Sequence, residues 1–383
     1  MRFQTIFAFL LIAALTACGG KGNRKNPEAH ESDQQTTVLF ETKIAPTYAK
    51  GFNITYKDGY CLVDIQDPQK ENTQQFHYAL IPRGMEVSGL PEGYEPIRVP
   101  VRKAICMTSL QLSSFIKLDE TERVVGITST RHLFNEKVNH QIETGQTTKI
   151  GIEGNFDNEL IMSINPDLIL ISPFKRGGYD VLKEMDIPLM PYLGYKETTP
   201  LGQAEWIKFT GLLLGEEKKA NALFAEIERR YNELKAMADS VETRPMVFSG
   251  ELRGGNWYAV GGKSFLAQQF HDAGADYFLK DDDRSGGVYL DYETVYSQAE
   301  NAQFWRIVNS DENFSYETLG ESDPRYRDFR AFREKGIIYC NIRKHPFYES
   351  MPMEPEVVLA DLIKAFHPAL LPDYQPVYYK RLP

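Results

Sequence analysis

The stretch Glu216 to Ser240, EEKKANALFAEIERRYNELKAMADS, restricts the fold of this chain more than any other. Ala220, Leu223, Phe224, Ile227, Tyr231, Leu234 and Met237 recur at three- and four-residue steps, which draws one apolar stripe along one helix with Glu, Lys and Arg opposite. Gly215 precedes it and Arg244-Pro245 follows it, leaving a rod of roughly 35 Å at 1.5 Å per residue. On both sides the chain alternates short β-rich runs with helical runs. The stretch therefore reads as a connecting helix, 216–240, between two α/β lobes.

A length of 383 residues exceeds one ordinary core, and 42% hydrophobic content is enough to fill two. A net charge of −10 excludes nucleic acid and anionic membrane surfaces as the main partner, because both require a basic field. The opening MRFQTIFAFLLIAALTACGG has one Arg and then an apolar run too short to span a bilayer as a permanent helix. Leu15-Thr16-Ala17-Cys18 resembles the bacterial lipobox, which makes 1–17 a signal peptide, Cys18 the lipidation site and 18–37 a flexible tether. Cys61, Cys106 and Cys340 remain, an odd number far apart, so no disulfide framework or metal knuckle follows. Cys106 and Cys340 lie in apolar strand-like runs and read as small buried hydrophobes.

Residues 38–97 read as a β-rich extension: Phe52 to Tyr56, a Lys57-Asp58-Gly59 turn, Tyr60 to Ile65, then Phe76 to Ile81. From Arg98 the rhythm becomes strand, helix, strand. Val101 to Met107, Val124 to Ile127, Asp167 to Ser172 and Pro188 to Leu193 are expected strands; Asp157 to Ile164, Tyr179 to Met185 and Thr199 to Leu214 are expected helices, the last with Trp206, Phe209 and Leu213 on one side. Beyond the rod the pattern restarts with strands at Met246 to Ser249, Trp257 to Val260, Phe304 to Val308 and Ile337 to Asn341. Helices are expected from Ser264, from Tyr292, near Tyr326 and from Glu356. Apolar strands separated by helices mean parallel sheets covered on both faces. The N-terminal lobe is then 98–215 and the C-terminal lobe 241–383.

The two lobes share an echo. GNFDNELIMSINPDLILIS and VYLDYETVYSQAENAQFWRIV each run from a loop into a short helix and then a strand, with Glu159 or Glu293 in the helix's first turn. An acid there also answers the helix dipole, the simpler reading of either one alone. In open α/β sheets ligands bind beyond the carboxyl ends of the strands. At those exits stand Arg131, His132, Phe174, Arg176, Tyr195, Arg253, Trp257, Arg343 and His345. Guanidinium forks and flat rings suit a bulky anion. Packing within its own lobe competes with ligand contact for each aromatic, and hydrogen bonding competes with metal ligation for both histidines.

With ERVVGITS, NELIMSINPDLILIS, the connecting helix, GNWYAVGGKSFLAQQFHDAGA and PEVVLADLIKAFHPAL taken together, the chain from Arg98 onward resembles the helical-backbone periplasmic binding proteins that feed ABC importers with cobalamin and iron siderophores. The resemblance implies the class III architecture, two Rossmann-like lobes bridged by one long helix, with 38–97 as an addition. It also implies a monomer holding a ferric siderophore, haem or cobalamin between its lobes, no cofactor and no catalytic residue. Its partners would be a permease, met through Glu159 and Glu293, the permease's ATPase subunits and, through Cys18, the membrane on its periplasmic side. Two alternatives are kept. A receptor for a bare metal ion would need a set such as His132, His345 and Asp291. An extracytoplasmic enzyme would need a nucleophile elbow, a His-Glu-x-x-His, or a phosphate or dinucleotide loop, none of which is written in the sequence.

Overall fold

The computed structural model describes residues 39–70, 75–128, 133–152, 154–172 and 179–383. The signal, Cys18 and the whole tether lie outside these residues, as do Arg131, His132, Phe174 and Arg176. No helix among the described residues is long and apolar enough to cross a membrane.

The extension is a four-stranded sheet in chain order: β1 (Phe52–Tyr56), β2 (Cys61–Ile65), β3 (Phe76–Pro82) and β4 (Glu95–Val99). Gly59 takes a positive φ of 81° in the turn that joins β1 to antiparallel β2. β4 runs parallel to β3 and ends at Val99, beyond the boundary expected at 97.

The N-terminal lobe is built on β5 (Ala104–Cys106), α1 (Ser109–Lys117), β6 (Val124–Ile127), α2 (Glu136–Glu143) and β7 (Thr148–Lys149). There follow the hairpin β8 (Gly151–Ile152) and β9 (Asn155–Phe156), then α3 (Asn158–Ile164), β10 (Leu168–Ile171), α4 (Tyr179–Lys183) and β11 (Leu189–Pro191). Its parallel sheet has the order β11-β10-β5-β6-β7. All four side chains of β10, LILI, are buried, as a central parallel strand requires.

Two helices follow, α5 (Pro200–Leu214) and α6 (Glu217–Asp239), turned about Gly215 at φ 75°. α6 is the connecting helix and bridges the lobes. Its buried side runs Ala220, Phe224, Ile227, Tyr231, Ala238; Met237, assigned to the stripe from sequence, is 37% exposed because a 3.6-residue period brings Ala238 inward instead. α5 corrects a larger expectation. All 15 of its residues are buried, not one side alone. A Cβ on Gly211 would come within 2.4 Å of the Ala220 Cβ, so at this point α5 and α6 cross with their backbones nearly touching.

The C-terminal lobe comprises β12 (Met246–Ser249), β13 (Glu251–Arg253), β14 (Asn256–Val260), α7 (Phe265–Asp272), β15 (Asp276–Tyr277), β16 (Gly287–Leu290) and α8 (Tyr292–Ala299). It continues through β17 (Phe304–Asn309), α9 (Tyr316–Ser322), α10 (Arg330–Arg333), β18 (Ile337–Asn341), α11 (Pro355–Phe366) and β19 (Lys380–Arg381). Its main sheet has the order β15-β12-β17-β18-β19, parallel except for β19, and β13-β14-β16 form a small antiparallel sheet beside it. α11 packs on α6, so α5, α6 and α11 make a spine on which both lobes sit, and one hydrophobic cluster runs from Phe52 through Trp206 to Phe366.

Buried carboxylates fasten the extension to this spine. Glu205 of α5 accepts the N–H groups of Thr47 (2.9 Å), Tyr48 (2.7 Å) and Ala49 (2.8 Å) and pairs with Lys208 at 2.7 Å. Glu197 accepts Gly51 N–H (2.9 Å) and the Trp206 indole (3.0 Å). A buried carboxylate is tolerated only when donors replace its water. Glu205→Ala leaves Lys208 and the loop amides without their acceptor, and we expect a loss of about 3–5 kcal/mol in urea unfolding. A loss within error of zero would show that the carboxylate does not hold the loop.

Candidate functional site

Within the C-terminal sheet the chain leaves β12 toward β15 on one side and later returns to pair with β12 on the other, through β17. Such a reversal of winding opens a crevice beyond the carboxyl ends of the two strands. A cavity of about 500 Å³ lies there, lined by Ser249 at the end of β12 with Gly250 and Glu251 after it, by Arg306 to Ser310 at the end of β17, and by Ile342, Phe347 and Tyr348 after β18.

Strand alternation decides which side chains meet it. In the small sheet Glu251 pairs with Tyr258 and Arg253 with Asn256, so Glu251, Arg253 and Tyr258 share a face while Leu252 and Trp257 share the other. The first three line the cavity. Trp257, a ligand contact in the sequence reading, is instead fully buried against Phe248, Trp305 and Phe329. Its indole donates to the Ser249 carbonyl at 2.9 Å, and the Trp305 indole donates to the Gly250 carbonyl at 2.9 Å. Two tryptophans thereby pin the turn that presents Glu251. Gly250 sits at φ 99°, and a Cβ there would fall 2.0 Å from the Tyr258 carbonyl oxygen, so this position is closed to any larger residue.

The cations are Arg253 and Arg306. Arg253 is exposed and stacks over the Tyr258 ring at 4.9 Å. Arg306 sits in β17 beside Ser249 in register; its Nε donates to the Tyr379 hydroxyl at 3.1 Å, its Nη2 reaches the same oxygen, and it lies over the Tyr379 ring. Neither forms an ion pair with a carboxylate among the described residues. Burial pushes the Glu251 carboxyl up to about 7 against the opposing pull of Arg253 and Arg306. Sequence reasoning missed Arg306 and Glu251. A charge interrupting the apolar run FWRIV was the available signal, since a central parallel strand has no solvent face to give it.

The other sequence-derived residues lie elsewhere. Arg343 pairs with Glu312 at 3.0 Å and lines a shallower hollow that shares Asn309 and Ser310 with the cavity. His345 is half-buried, and burial together with Lys380 and Lys344 lowers its pKa, which disfavours its charged form. Tyr195 stands in a narrow gap of about 10 Å³ between Gln111, Gln203 and the 351–353 turn, part of the seam between lobes and too small for a ligand. The same seam carries Lys117 to Glu354 at 3.2 Å, and the Glu349 carboxylate accepting Phe134 N–H at 2.9 Å. Glu159 and Glu293 are both exposed, each two residues after an aspartate N-cap: Asp157 accepts Leu160 N–H at 3.0 Å and Asp291 accepts Thr294 N–H at 2.6 Å. Cys61, Cys106 and Cys340 are buried free thiols.

A pair of α/β lobes on a helical spine, with a cationic crevice at a winding reversal, is the architecture of a ligand receptor. Residues 105–342 match the family described as periplasmic binding protein, and the chain belongs to that family. It is 24% identical over 408 residues to an uncharacterized lipoprotein of Methanocaldococcus jannaschii, covering 99% of this chain and 100% of that one. A periplasmic heme-binding protein from Pseudomonas aeruginosa superposes with a TM-score of 0.55 at 18% identity, over 74% of this chain and 98% of that one. An ABC-type Fe3+-hydroxamate transport protein from Saccharomonospora viridis gives 0.55 at 17% identity, over 70% and 94%.

Trp257→Phe keeps the ring packing and removes the donor to Ser249. We expect a stability loss of about 1–3 kcal/mol from the unsatisfied buried carbonyl. Unchanged thermal and urea midpoints would show that the indole does not fix the turn.

Proposed function

We propose that this chain is a lipid-anchored substrate-binding protein of an ABC importer that captures an anionic metal chelate, a ferric siderophore or haem, between its lobes and hands it to the permease. Cobalamin is the other cargo of this class. The observation that carries the reading is the C-terminal cavity, where Arg253 and Arg306 face open space without a carboxylate partner among the described residues. Gathered guanidiniums repel one another, and an anion relieves that repulsion. A volume of about 500 Å³ suits a ligand of drug size better than a tetrahedral oxyanion. Tyr258, Phe347 and Tyr348 supply rings for its flat faces. The heme and Fe3+-hydroxamate titles of the two structural relatives agree with this class of cargo. Arg131, His132, Phe174 and Arg176, which follow β6 and β10 in the sequence, are assigned as ligand contacts from the N-terminal lobe. A bare metal ion is the second reading, and the cationic lining disfavours it. The mechanism is capture, without a reaction.

Residues 1–17 are assigned as signal, Cys18 as the lipid attachment and 18–37 as tether, which puts the chain on the periplasmic side of the membrane; the M. jannaschii relative carries the name lipoprotein. Glu159 and Glu293, on matched helix starts of the two lobes, are assigned to permease docking, where exposed ion pairs orient the encounter more than they tighten it.

Titration of the mature protein against haemin, a ferric tris-catecholate, a ferric hydroxamate and cyanocobalamin tests the reading, with Zn²⁺, Mn²⁺ and Fe³⁺ salts as the competing arm. Arg306→Met should weaken the bound chelate about 10- to 100-fold, the value of one charge-assisted hydrogen bond. Tight uptake of a free ion, or chelate binding indifferent to Arg306, would contradict the proposal. Reversal of both docking acids, Glu159→Lys with Glu293→Lys, should leave that affinity unchanged and lower uptake through the permease; equal loss of binding would place them in the cleft.

A further inference from the structure

Resting on that reading of the cavity, we propose that Glu251 is its charge-selecting residue: it lines the C-terminal crevice together with Arg253 and Arg306 and takes one proton from solvent as an anionic ligand seats against the two guanidiniums. The geometry is specific. Glu251 shares a sheet face with Arg253 and Tyr258, follows the pinned Ser249–Gly250 turn, and stands two residues beyond Ser249, the register partner of Arg306. It forms no ion pair with either arginine, although both pull on it electrostatically. From the other elements packed here, Tyr326 and Tyr339 interact with Glu251 electrostatically, and both hydroxyls are held protonated, raised to about 12 chiefly by burial. No other carboxylate is among the residues lining the cavity. A ligand's negative charge therefore meets one titratable acid among the cavity's described residues.

The sign follows from burial. The free carboxyl titrates near 7, and an anion close to Arg253 and Arg306 offsets the attraction that keeps its pKa from rising further. Binding then raises that pKa. Well below that pH the group is protonated before and after binding, and affinity is flat. Above it, each anion bound is accompanied by one proton added to the Glu251 carboxylate, and affinity falls as pH rises, approaching tenfold per unit, until the pKa of the complex is passed. A neutral ligand takes up no proton and gains no such preference. The carboxyl thus admits anions at mildly acid pH and weakens their hold in alkaline medium.

The test uses the mature protein and its Glu251→Gln variant, which keeps the side-chain shape. The probe is a hexadentate ferric tris-catecholate, whose charge is constant over the range, titrated calorimetrically from pH 6 to 9 in buffers of different ionisation enthalpy. Cyanocobalamin is the uncharged control. The expected result is uptake approaching one proton per catecholate bound at pH 8 in the native protein, none in Glu251→Gln, and a variant whose affinity stays at the acid-limb value throughout. Binding without proton uptake, or with equal uptake in both proteins, would overturn this inference and leave the anion-binding reading intact. Failure of the native protein to bind the catecholate at any pH would overturn the inference, and failure to bind haemin and the ferric hydroxamate as well would overturn the reading with it.

Discussion

The burial of α5 on every side is the constraint from which the rest of the structure follows. A 15-residue helix without a solvent face must be covered by everything around it: by α6 where Gly211 meets Ala220, by the extension through Glu205 and Glu197, by α1 through Ser114 and Thr210 at 2.7 Å, and by the 351–353 turn. Both lobes consequently share one core with the spine. The lobes also meet directly at the seam, where Lys117 pairs with Glu354 and Glu349 accepts from Phe134. A receptor of this kind selects its cargo by what its walls already present.

In the C-terminal lobe those walls are set by winding and alternation. The reversal between β15 and β17 about β12 opens the crevice, and the two tryptophan indoles fix the turn at its lip. Period-two alternation then sends Trp257 inward and Glu251, Arg253 and Tyr258 outward. Arg306 is held by an aromatic hydroxyl, not by an acid, so its charge remains available to a ligand. Buried groups supply the precision here, and half-buried and exposed ones the chemistry.

Much of this was legible in the sequence. β1, β6, β12 and β18 fall on the expected residues, because each is a compact β-branched or aromatic run bounded by turn or polar residues. The connecting helix shows in its stripe, and the short helices near Asp157 and from Tyr292 show in the shared loop-helix-strand echo, although their aspartate N-caps were not read. What did not show is equally physical. α1 buries Gln111, Ser113 and Ser114, and a polar buried face carries no hydrophobic period. α2 buries only Val138 and Gln141. β13 is three residues between Gly250 and Gly254, so the partner that decides which way Trp257 faces was invisible, and the most prominent ring at a strand exit was assigned to the wrong side. Arg306 was missed because only residues beyond strand ends were weighed as ligand contacts, and it sits inside β17, where its charge within an apolar run was the signal.

Anomalous diffraction at the iron edge, from crystals grown with an anionic ferric chelate, addresses the central claim most directly. The account predicts one iron peak in the crevice beyond β12 and β17, with the chelate's oxygens against Arg306 and Arg253 and its rings against Tyr258 and Tyr348. An ordered chelate bound away from this crevice, with both arginines still facing solvent, would contradict it.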